Sequence, residues 1–376
     1  MALAEGAHAD LQRLASMNHA ALRRLALSGA IGATGLAVGI STSVISFAPP
    51  TVKQNPCPPL PRPLPDGVHK DGVEAIFNYQ GNSVRTISTR RDGSSADGDL
   101  VGAQWSPERV LVGNGRDTAL SLDVHGFELR QDARSQRIDY YDESAVIDDY
   151  YSACEELVRR ATGAAIVVAF DHNVRCDSGK ARGRRLRGGN RVEGTAALVH
   201  NDYTADAAAR RLAMLAKPPT LLKQGLQSRL GGRSPLQHEV VEEALEGKRR
   251  FAFVNVWRPI SSVECKPLGL VDATTTTLEE LIPFQIHHAD EGSEGGIYFA
   301  AHRPSHRWLY FPGMSTDEVL LLKQWDSDGG IARGRTDAAE GRATFALHSA
   351  FASPLTTGTD APKDRESIEV RLVLVF

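Results

Sequence analysis

The triplet His200-Asn201-Asp202 carries side chains well suited to metal chemistry. It directly follows the strand-like run 195–199, and side chains two residues apart on a strand project from the same face. An imidazole nitrogen and a carboxylate oxygen can then hold one metal ion together. A second histidine from a distant strand would complete a 2-His-1-carboxylate triad, the ligand set of non-haem Fe(II) sites with open coordination positions. We therefore expect His200 and Asp202 to bind a metal.

The His-x-Asp pattern alone has little specificity, because the chain contains it four times. The other copies begin at His8, His69 and His288. Two of these lie in the N-terminal region or at its boundary, and the third opens an acidic loop that contains glycine. Only the copy at His200 directly follows a strand-like run.

The second histidine is predicted to be His348, which lies in a strand-like run near the C-terminus. Four other histidines share this strand-rich half of the chain: His287, His288, His302 and His306. The adjacent pair 287–288 is the main alternative, although neighbouring strand residues point to opposite faces, so that only one could serve. His306 belongs to a polar turn, where packing or hydrogen bonding is the expected role.

The C-terminal run from residue 367 alternates apolar and polar side chains. One face carries Ile368, Val370, Leu372 and Leu374, and the other carries Arg365, Ser367, Glu369 and Arg371. An arginine on the inner face of a small barrel can clamp a carboxylate through two parallel hydrogen bonds, and Ser367 can add a hydroxyl. This arrangement suits a dicarboxylate cosubstrate. Arg365 is favoured over Arg371 because it lies beside Ser367 and nearer the strand end, whereas Glu369 and Arg371 are expected to form an internal ion pair.

Four more residues are expected to line a cosubstrate or substrate pocket: Asn255, Trp257, Arg258 and Tyr310. For Trp257 and Tyr310, ordinary core packing is the alternative, since large aromatic side chains are mostly buried in any fold.

Mostly short strands must position these residues. From residue 250 to the end, short strand-like runs separated by turns indicate a sandwich or barrel rather than a doubly wound sheet. Helices are predicted over 142–163, 205–216 and 235–245, and a buried strand over 164–170. The nucleotide-binding patterns GxGxxG and GxxxxGK[ST] are absent from the sequence.

The composition is that of an ordinary globular protein. The 376 residues are 41% hydrophobic and 24% charged, with a net charge of −3. These values exclude a collagen-like or polytopic membrane protein and give no electrostatic argument for nucleic acid. The four cysteines are far apart, which fits a reducing compartment and argues against a zinc ribbon or a disulfide scaffold. We therefore expect a cytoplasmic location; the sequence leaves the oligomeric state open.

The N-terminal 70 residues form a separate region. Residues 25–48 contain no charge and follow two arginines, but glycine, serine and threonine dilute the run. It is therefore a borderline membrane anchor or targeting segment, with a surface extension as the alternative. Residues 55–67 are rich in proline, which is typical of a linker. We predict an extension over 1–70 and one domain over 71–376, with membrane contact through residues 23–48 as the alternative location.

Taken together, the His-x-Asp pattern, the distal histidine and the Arg-x-Ser pattern resemble those of the Fe(II)/2-oxoglutarate-dependent oxygenases. Residues from about 74 to 376 look more closely like the gibberellin-desaturase/cephalosporin-hydroxylase-like family of secondary metabolism. The matching stretches occur in the same order: DHNVR (171–175), VHNDYT (199–204), NVWRP (255–259), HRWLYF (306–311), DEVLLLKQWDS (317–327), HSAF (348–351) and RESIEVR (365–371).

The resemblance implies a mainly β fold with flanking helices (α+β), whose core is a distorted double-stranded β-helix, or jelly roll. It implies His200, Asp202 and His348 as iron ligands, and Arg365 with Ser367 as the site for the 2-oxoglutarate carboxylate. It also implies O2 as cosubstrate and hydroxylation, desaturation or ring formation on a small metabolite. The alternatives are a non-catalytic or differently metallated β-barrel that binds a ligand, and a metal-dependent hydrolase.

Overall fold

A computed structural model describes residues 68–91, 100–133, 138–188, 190–219, 224–288, 292–336, 341–356 and 362–376. Within these ranges most of the regular structure is β-sheet. The strands of the larger sheet are β1 (Val68–His69), β2 (Gly72–Gln80), β3 (Ile87–Arg91), β4 (Trp105–Asn114), β7 (His200–Asn201), β9 (Leu268–Val271), β10 (Leu281–His288), β11 (Gly292–Ala300), β12 (Trp308–Tyr310) and β14 (His348–Ala350). Their order is β1-β2-β4-β12-β9-β14-β7-β11-β10-β3.

The smaller sheet consists of β5 (Phe127–Gln131), β6 (Ile166–Arg175), β8 (Phe251–Pro259), β13 (Glu318–Asp326) and β15 (Ser367–Val375). Its order is β5-β13-β8-β15-β6, and every neighbouring pair is antiparallel. The C-terminal strand β15 therefore lies inside the sheet, between β6 and β8, and its side chains are held from both sides.

The space between the two sheets is filled by aromatic side chains. Phe77 of β2 stacks on Trp308 of β12 with ring centroids 3.9 Å apart, and Phe351 lies 5.2 Å from the same phenylalanine ring. Phe253 of β8 and Val373 of β15 join this cluster from the smaller sheet. Large buried aromatic rings contribute much of the burial energy of such a core, so this cluster fixes the two sheets against each other.

The outer face of the smaller sheet is covered by helix α3 (Tyr151–Thr162). Cys154 and Val158 of this helix share a buried cluster with Leu372 and Leu374 of β15. The predicted alternation of β15 is confirmed, because its apolar face packs towards this helix. Its polar face, with Glu369 and Arg371, is left for the interior between the sheets.

The other helices are short: α1 (Leu122–His125), α2 (Glu143–Ala145), α4 (Asp177–Ala181), α5 (Ala205–Met214), α6 (Gln224–Arg229) and α7 (His238–Leu245). The helix predicted over 142–163 is α2, a π-helical turn and α3 in succession. Asp142 caps its start through the backbone N–H groups of residues 144 and 145, and Gly163 ends it with a left-handed φ of 69°. The helix predicted over 205–216 corresponds to α5, whereas the third begins at His238, three residues later than predicted.

Several elements differ from the sequence prediction. The strand predicted over 164–170 is β6, which begins at Ile166 and continues to Arg175, and helix α6 was not predicted. The strand-like run 195–199 forms no strand; β7 begins at His200. The expectation of a mainly β fold with flanking helices is confirmed. Among the described residues, no helix is long and apolar enough to cross a membrane. The predicted anchor at residues 23–48 lies outside the described residues, and the proposed boundary at 70 stays a prediction.

Candidate metal centre

Two very short strands bring the predicted histidines together. β7 and β14 pair antiparallel through one residue each, His200 opposite His348. The two imidazole rings have centroids 4.4 Å apart and are tilted by 47°. Both residues are buried, with 8% and 4% of their surfaces exposed. Residues 148 positions apart in the chain therefore offer ring nitrogens to the same small volume.

Asp202 follows β7 directly and completes the group. One carboxylate oxygen, Oδ1, lies 3.6 Å from Nε2 of His200. One ligand atom from each of His200, Asp202 and His348 lies within 4.8 Å of the others. In the part of the chain that the structure describes, no second cluster of three such side chains occurs. Two imidazoles and a carboxylate at these separations can face a single metal ion.

The histidine rings are oriented in the way that metal ligands require. Nδ1 of His200 lies 2.9 Å from the carbonyl oxygen of Leu198, and Nδ1 of His348 lies 3.1 Å from that of Ala346. A carbonyl oxygen only accepts, so each Nδ1 carries the hydrogen and each Nε2 keeps its lone pair. Both contacts reach two residues back along the chain. The donor set thus fits a divalent metal held by two Nε2 atoms and a carboxylate oxygen.

The Asp202 carboxylate is fixed by polar neighbours. Asn255 of β8 donates from Nδ2 to Oδ2 at 3.2 Å, and Nε of Arg371 lies 4.0 Å from the same oxygen. The backbone N–H of Asp202 donates to Oε1 of Gln324 at 3.2 Å. Oδ2 is therefore occupied by side chains of the smaller sheet, and Oδ1 is directed towards His200.

Electrostatics favour the protonation states that bind a metal. Burial, together with neighbouring His348, lowers the pKa of His200 to about 4, so the ring is neutral at pH 7. Burial raises the pKa of Asp202, but Arg371 and the two histidines outweigh it and hold the value at about 2. Neutral imidazoles and an ionised carboxylate are the forms that bind metals.

A pocket of about 350 Å³, including its open mouth, adjoins the triad. Besides His200, Asp202 and His348, its wall is formed by Arg175, Ala196, Trp257, Leu268, Ala350, Arg365 and Glu369. Two arginines, Arg175 and Arg365, and two carboxylates, Asp202 and Glu369, thus face the same small pocket.

Arg365 is held almost completely buried at this pocket. Its Nη1 donates to the carbonyl oxygen of Lys266 at 2.6 Å, and its guanidinium carbon lies 5.6 Å from the centre of the Trp257 ring. Burial, together with nearby Arg175, lowers the pKa of Arg365 to about 10. Nε of Arg365 and Oγ of Ser367 are both buried and have no hydrogen-bond partner among the described residues. Buried polar atoms without partners are costly, so these two are suited to a ligand with acceptor oxygens.

Arg371, the competing arginine, has protein partners instead. It contacts Asp171 at 2.9 Å and Glu369 at 3.2 Å, besides its approach to Asp202. Burial lowers its pKa, but these three carboxylates raise it well above the usual value. The ion pair expected between Glu369 and Arg371 is thus present. Arg371 is placed to support the triad rather than to clamp a ligand.

The four residues predicted to line the pocket do not all lie beside the triad. Asn255 bonds Asp202, and Trp257 lines the pocket. Arg258, adjacent to Trp257 on β8, points to the opposite face, because strand residues alternate. There it contacts the hydroxyl of Tyr150, the carbonyl of Thr316 and the carboxylate of Asp132. Contrary to the prediction, Arg258 does not belong to the pocket wall.

Tyr310 packs in the core between the sheets. It is 3% exposed and meets Phe351 edge to face at 5.4 Å. Core packing, the alternative reading of this residue, describes its position, because β12 directs it into the aromatic cluster rather than towards the triad.

The competing histidines lie elsewhere. His306 is buried between the hydroxyl of Tyr79 at 2.8 Å and a carboxylate oxygen of Glu280 at 3.0 Å, the hydrogen-bonding role expected from its turn. His302 lies 3.9 Å from Glu108. The backbone of 287–288 belongs to β10, which pairs with β11 and β3 and not with β7. The side chains of this pair lie outside the described residues.

Two residues of the site were missed by the sequence analysis. Arg175 was missed because β6 extends five residues beyond the predicted strand, although it ends the family-like stretch DHNVR. Gln324 lies fully buried in β13, where its Oε1 accepts from the backbone of Asp202. A polar residue inside a strand buried along its whole length is the signal that could have identified it.

Comparison with known proteins agrees with this geometry. Residues 80–376 match the family model described as the oxidoreductase/YMDC permease-like domain, and the chain belongs to this family. It is 28% identical over 309 residues to the alpha-ketoglutarate-dependent dioxygenase phiK of a fungal species, covering 81% of this chain and 96% of that protein. It is also 28% identical over 285 residues to the hydroxylase/desaturase efuI of Hormonema carpetanum, covering 73% and 85%.

A solved structure supports the fold. The iron and alpha-ketoglutarate-dependent endoperoxidase NvfI aligns with a TM-score of 0.62 at 23% identity, covering 82% of this chain and 99% of that one. The predicted jelly-roll fold is confirmed by this likeness. The resemblance to Fe(II)/2-oxoglutarate-dependent oxygenases is confirmed by the named relatives.

Proposed function

We propose that this protein is a non-haem Fe(II)/2-oxoglutarate-dependent oxygenase that oxidises a C–H bond of a small secondary metabolite. The observation that carries the proposal is the group His200, Asp202 and His348, whose ligand atoms lie within 4.8 Å of one another in a pocket that also contains a buried arginine. The relatives named as dioxygenase and hydroxylase/desaturase have the same class of activity.

Iron would be held by Nε2 of His200, Nε2 of His348 and a carboxylate oxygen of Asp202. The Nδ1 hydrogen bonds to backbone carbonyls support this assignment, since they leave both Nε2 atoms free to coordinate. Three protein ligands would leave coordination positions open for small molecules. Asn255 and Arg371 keep the Asp202 carboxylate ionised and oriented.

The far carboxylate of 2-oxoglutarate is bound by Arg365 and Ser367. The partnerless Nε of Arg365 and Oγ of Ser367 support this role, because a carboxylate can accept from both. Arg175 lines the same pocket and adds a second positive charge for a dianionic ligand. Trp257 supports the Arg365 guanidinium from its ring face, which keeps the clamp in one orientation.

When bound, Fe(II) and 2-oxoglutarate supply the oxidising chemistry, since conversion of the 2-oxo acid to succinate and CO2 accompanies the reduction of O2. The chain contributes ligands, an anchor for the cosubstrate and a largely buried site that limits access of water. Hydroxylation, desaturation and ring formation are all compatible with this arrangement. Which one follows depends on how the substrate C–H bond is oriented at the metal.

We place the protein in the cytoplasm, with the domain over 71–376 carrying the activity. The free, buried thiols of Cys154, Cys176 and Cys265 support a reducing compartment. Attachment to a membrane through residues 23–48 is the competing location, and it would leave the chemistry of the domain unchanged.

Anaerobic titration of the purified protein with Fe(II) and 2-oxoglutarate tests the proposal. We expect the weak visible charge-transfer band of a 2-oxo acid bound to Fe(II). His348→Ala should lose the band through weaker iron binding, and Arg365→Ala should lose it through weaker cosubstrate binding while still binding iron. Arg333→Ala is the control for the arginine, because Arg333 forms an exposed ion pair with Asp328 and is not part of the pocket wall.

A wild-type protein that binds Fe(II) but gives no band with 2-oxoglutarate would contradict the proposal. A band that persists in Arg365→Ala at the wild-type concentration of 2-oxoglutarate would remove Arg365 from the clamp. Metal-dependent turnover that is indifferent to Arg365 and to 2-oxoglutarate would favour a hydrolase on the same scaffold.

A further inference from the structure

Lys266 has an unusual backbone conformation beside the proposed clamp. Its φ is 49°, and it is the one non-glycine residue with a positive φ in the described ranges. The left-handed region is disfavoured for residues with a Cβ atom, because Cβ approaches the following carbonyl. Such conformations persist where surrounding contacts enforce them, and they are common at functional sites. The contacts of the Lys266 carbonyl oxygen and ammonium group indicate the role of this conformation.

The Lys266 carbonyl oxygen accepts from Nη1 of Arg365 at 2.6 Å. Arg365 is 2% exposed, and its guanidinium also lies over the ring of Trp257. The carbonyl therefore fixes one edge of the guanidinium from the protein side. The opposite atom, Nε, remains without a partner and available to a ligand. A different backbone conformation at 266 would turn the carbonyl away and release the guanidinium.

The lysine side chain ties this turn to two other segments. Nζ lies 2.5 Å from Oδ2 of Asp177 and 3.3 Å from Oδ1 of Asp364. Asp177 begins α4, two residues after the pocket residue Arg175, and Asp364 directly precedes Arg365. Nζ thus connects the turn before β9 with the segments that carry both pocket arginines.

The two aspartates are themselves anchored. Asp177 accepts from the backbone N–H of Thr195 at 2.6 Å, and Asp364 accepts from that of Ser178 at 2.7 Å. Burial lowers the pKa of Lys266, but Asp177 and Asp364 raise it above its usual value overall, so the ammonium is charged. The ion pairs join segments that already have fixed positions, and they hold the turn against the unfavourable φ.

We propose that Lys266 is a positioning residue for the 2-oxoglutarate clamp: its left-handed backbone aims the carbonyl that orients Arg365, and its ion pairs with Asp177 and Asp364 keep that backbone in place. This inference rests on the proposed function, since it assigns Lys266 a role through the cosubstrate ligand. Nothing in it requires Lys266 to touch the cosubstrate or the metal.

Three substitutions separate the backbone conformation from the ammonium group. Lys266→Val removes the ion pairs and strongly disfavours a left-handed φ. Lys266→Ala removes the ion pairs and disfavours that φ less, whereas Lys266→Gly removes the ion pairs and accepts it freely. Lys248→Ala is the matched control, because Lys248 forms an exposed ion pair with Glu246 away from the pocket.

The measurement is the dissociation constant of 2-oxoglutarate for the Fe(II)-loaded full-length protein under anaerobic conditions, followed by the visible band. The dissociation constant of Fe(II) and the thermal unfolding of the metal-free protein are measured on the same samples. We expect Lys266→Val to raise the 2-oxoglutarate constant by about tenfold, from the size of such backbone strain. Lys266→Ala should be intermediate, and Lys266→Gly should be closest to wild type. Fe(II) binding should be unchanged throughout.

Equal 2-oxoglutarate binding by a folded Lys266→Val variant and the wild type would overturn the inference. So would a loss in Lys266→Gly equal to or larger than that in Lys266→Val, since both variants lack the ammonium and the preference for a left-handed φ would then have no effect on 2-oxoglutarate binding. A loss of thermal stability in all three variants with unchanged 2-oxoglutarate binding would make Lys266 merely structural. Failure of the wild type itself to bind 2-oxoglutarate would instead contradict the proposed function, so the two failures are distinguishable.

Discussion

At the scale of single residues, the site is defined by how each ligand atom is oriented. Both histidines donate from Nδ1 to a carbonyl two residues earlier, and Asp202 uses Oδ2 for protein contacts and leaves Oδ1 beside His200. Such outer contacts fix the ring and carboxylate positions before a metal arrives, which strengthens binding. Substitution of Asn255 therefore tests how much the orientation of Asp202 matters for metal binding, because Asn255 contacts the metal site only through Asp202.

Replacing Asn255 with alanine removes the hydrogen bond to Oδ2 of Asp202. We expect the dissociation constant of Fe(II) to rise about 10- to 100-fold, the usual effect of losing such an outer contact. Anaerobic metal titration measures it, with thermal unfolding to confirm that the variant is folded. Asn190→Ala, at an exposed position that bonds Glu143, is the control. Unchanged Fe(II) affinity in folded Asn255→Ala would show that Asp202 is oriented without Asn255.

The sequence was informative about the ligands and less so about their neighbours. His200 and Asp202 could be paired because residues two apart in an extended segment can face one metal ion, although β7 itself covers only His200–Asn201. Arg365 was predicted together with Ser367. Arg258 lies outside the pocket wall although it is adjacent to Trp257, because neighbouring residues of a strand point to opposite faces. Arg175 and Gln324 depend on where strands end and which faces are inner, and these follow from pairing between distant segments.

At the scale of elements, strand β15 divides two functions between its faces. Its even-numbered residues pack against α3, and its odd-numbered residues reach the interior beside the triad. Because neighbouring positions serve opposite faces, stability and metal binding should be separable within this one strand.

Shortening Leu372 to alanine should destabilise the fold without weakening the metal site. Leu372 is fully buried in the cluster shared with α3, so we expect a loss of about 2–5 kcal/mol in the free energy of unfolding. Urea unfolding measures this loss, and Fe(II) titration of the folded variant should match the wild type. Leu355→Ala, at a side chain with 53% exposure, should change stability by less than about 0.5 kcal/mol. A large loss of Fe(II) affinity in Leu372→Ala would contradict the separation of the two faces.

The sequence predicted the alternation of β15 because apolar residues occupy one face of the strand and polar residues occupy part of the other. It did not predict β2 or β4, which pair with each other through nine residue positions in the larger sheet. The ligand strands β7 and β14 are two and three residues long. Strands this short carry no periodicity of their own, so only their pairing in the folded sheet explains why His200 meets His348.

At the scale of the whole molecule, we predict that one domain over 71–376 carries the site and that residues 1–70 form a separate extension. The family match covers residues 80–376, and the described residues of the metal centre and its pocket all lie within it. This separation predicts that the activity and any membrane attachment reside in different parts of the chain.

A protein that starts near residue 70 should bind Fe(II) and 2-oxoglutarate as the full-length protein does. If residues 23–48 anchor the chain, the full-length protein should sediment with membranes at low salt, and the shortened protein should not. Fractionation of both forms without detergent measures this difference. Sedimentation of neither form would contradict the anchor and leave the cytoplasmic location, whereas loss of metal binding on shortening would contradict the domain boundary.

One ferrous ion and one 2-oxoglutarate should occupy the pocket together, and an anaerobic crystal structure of the protein with both would show whether they do. We expect iron bound by His200, Asp202 and His348, with the far carboxylate of 2-oxoglutarate on Arg365 and Ser367. Iron held by other residues, or 2-oxoglutarate absent from the pocket at saturating concentration, would contradict it.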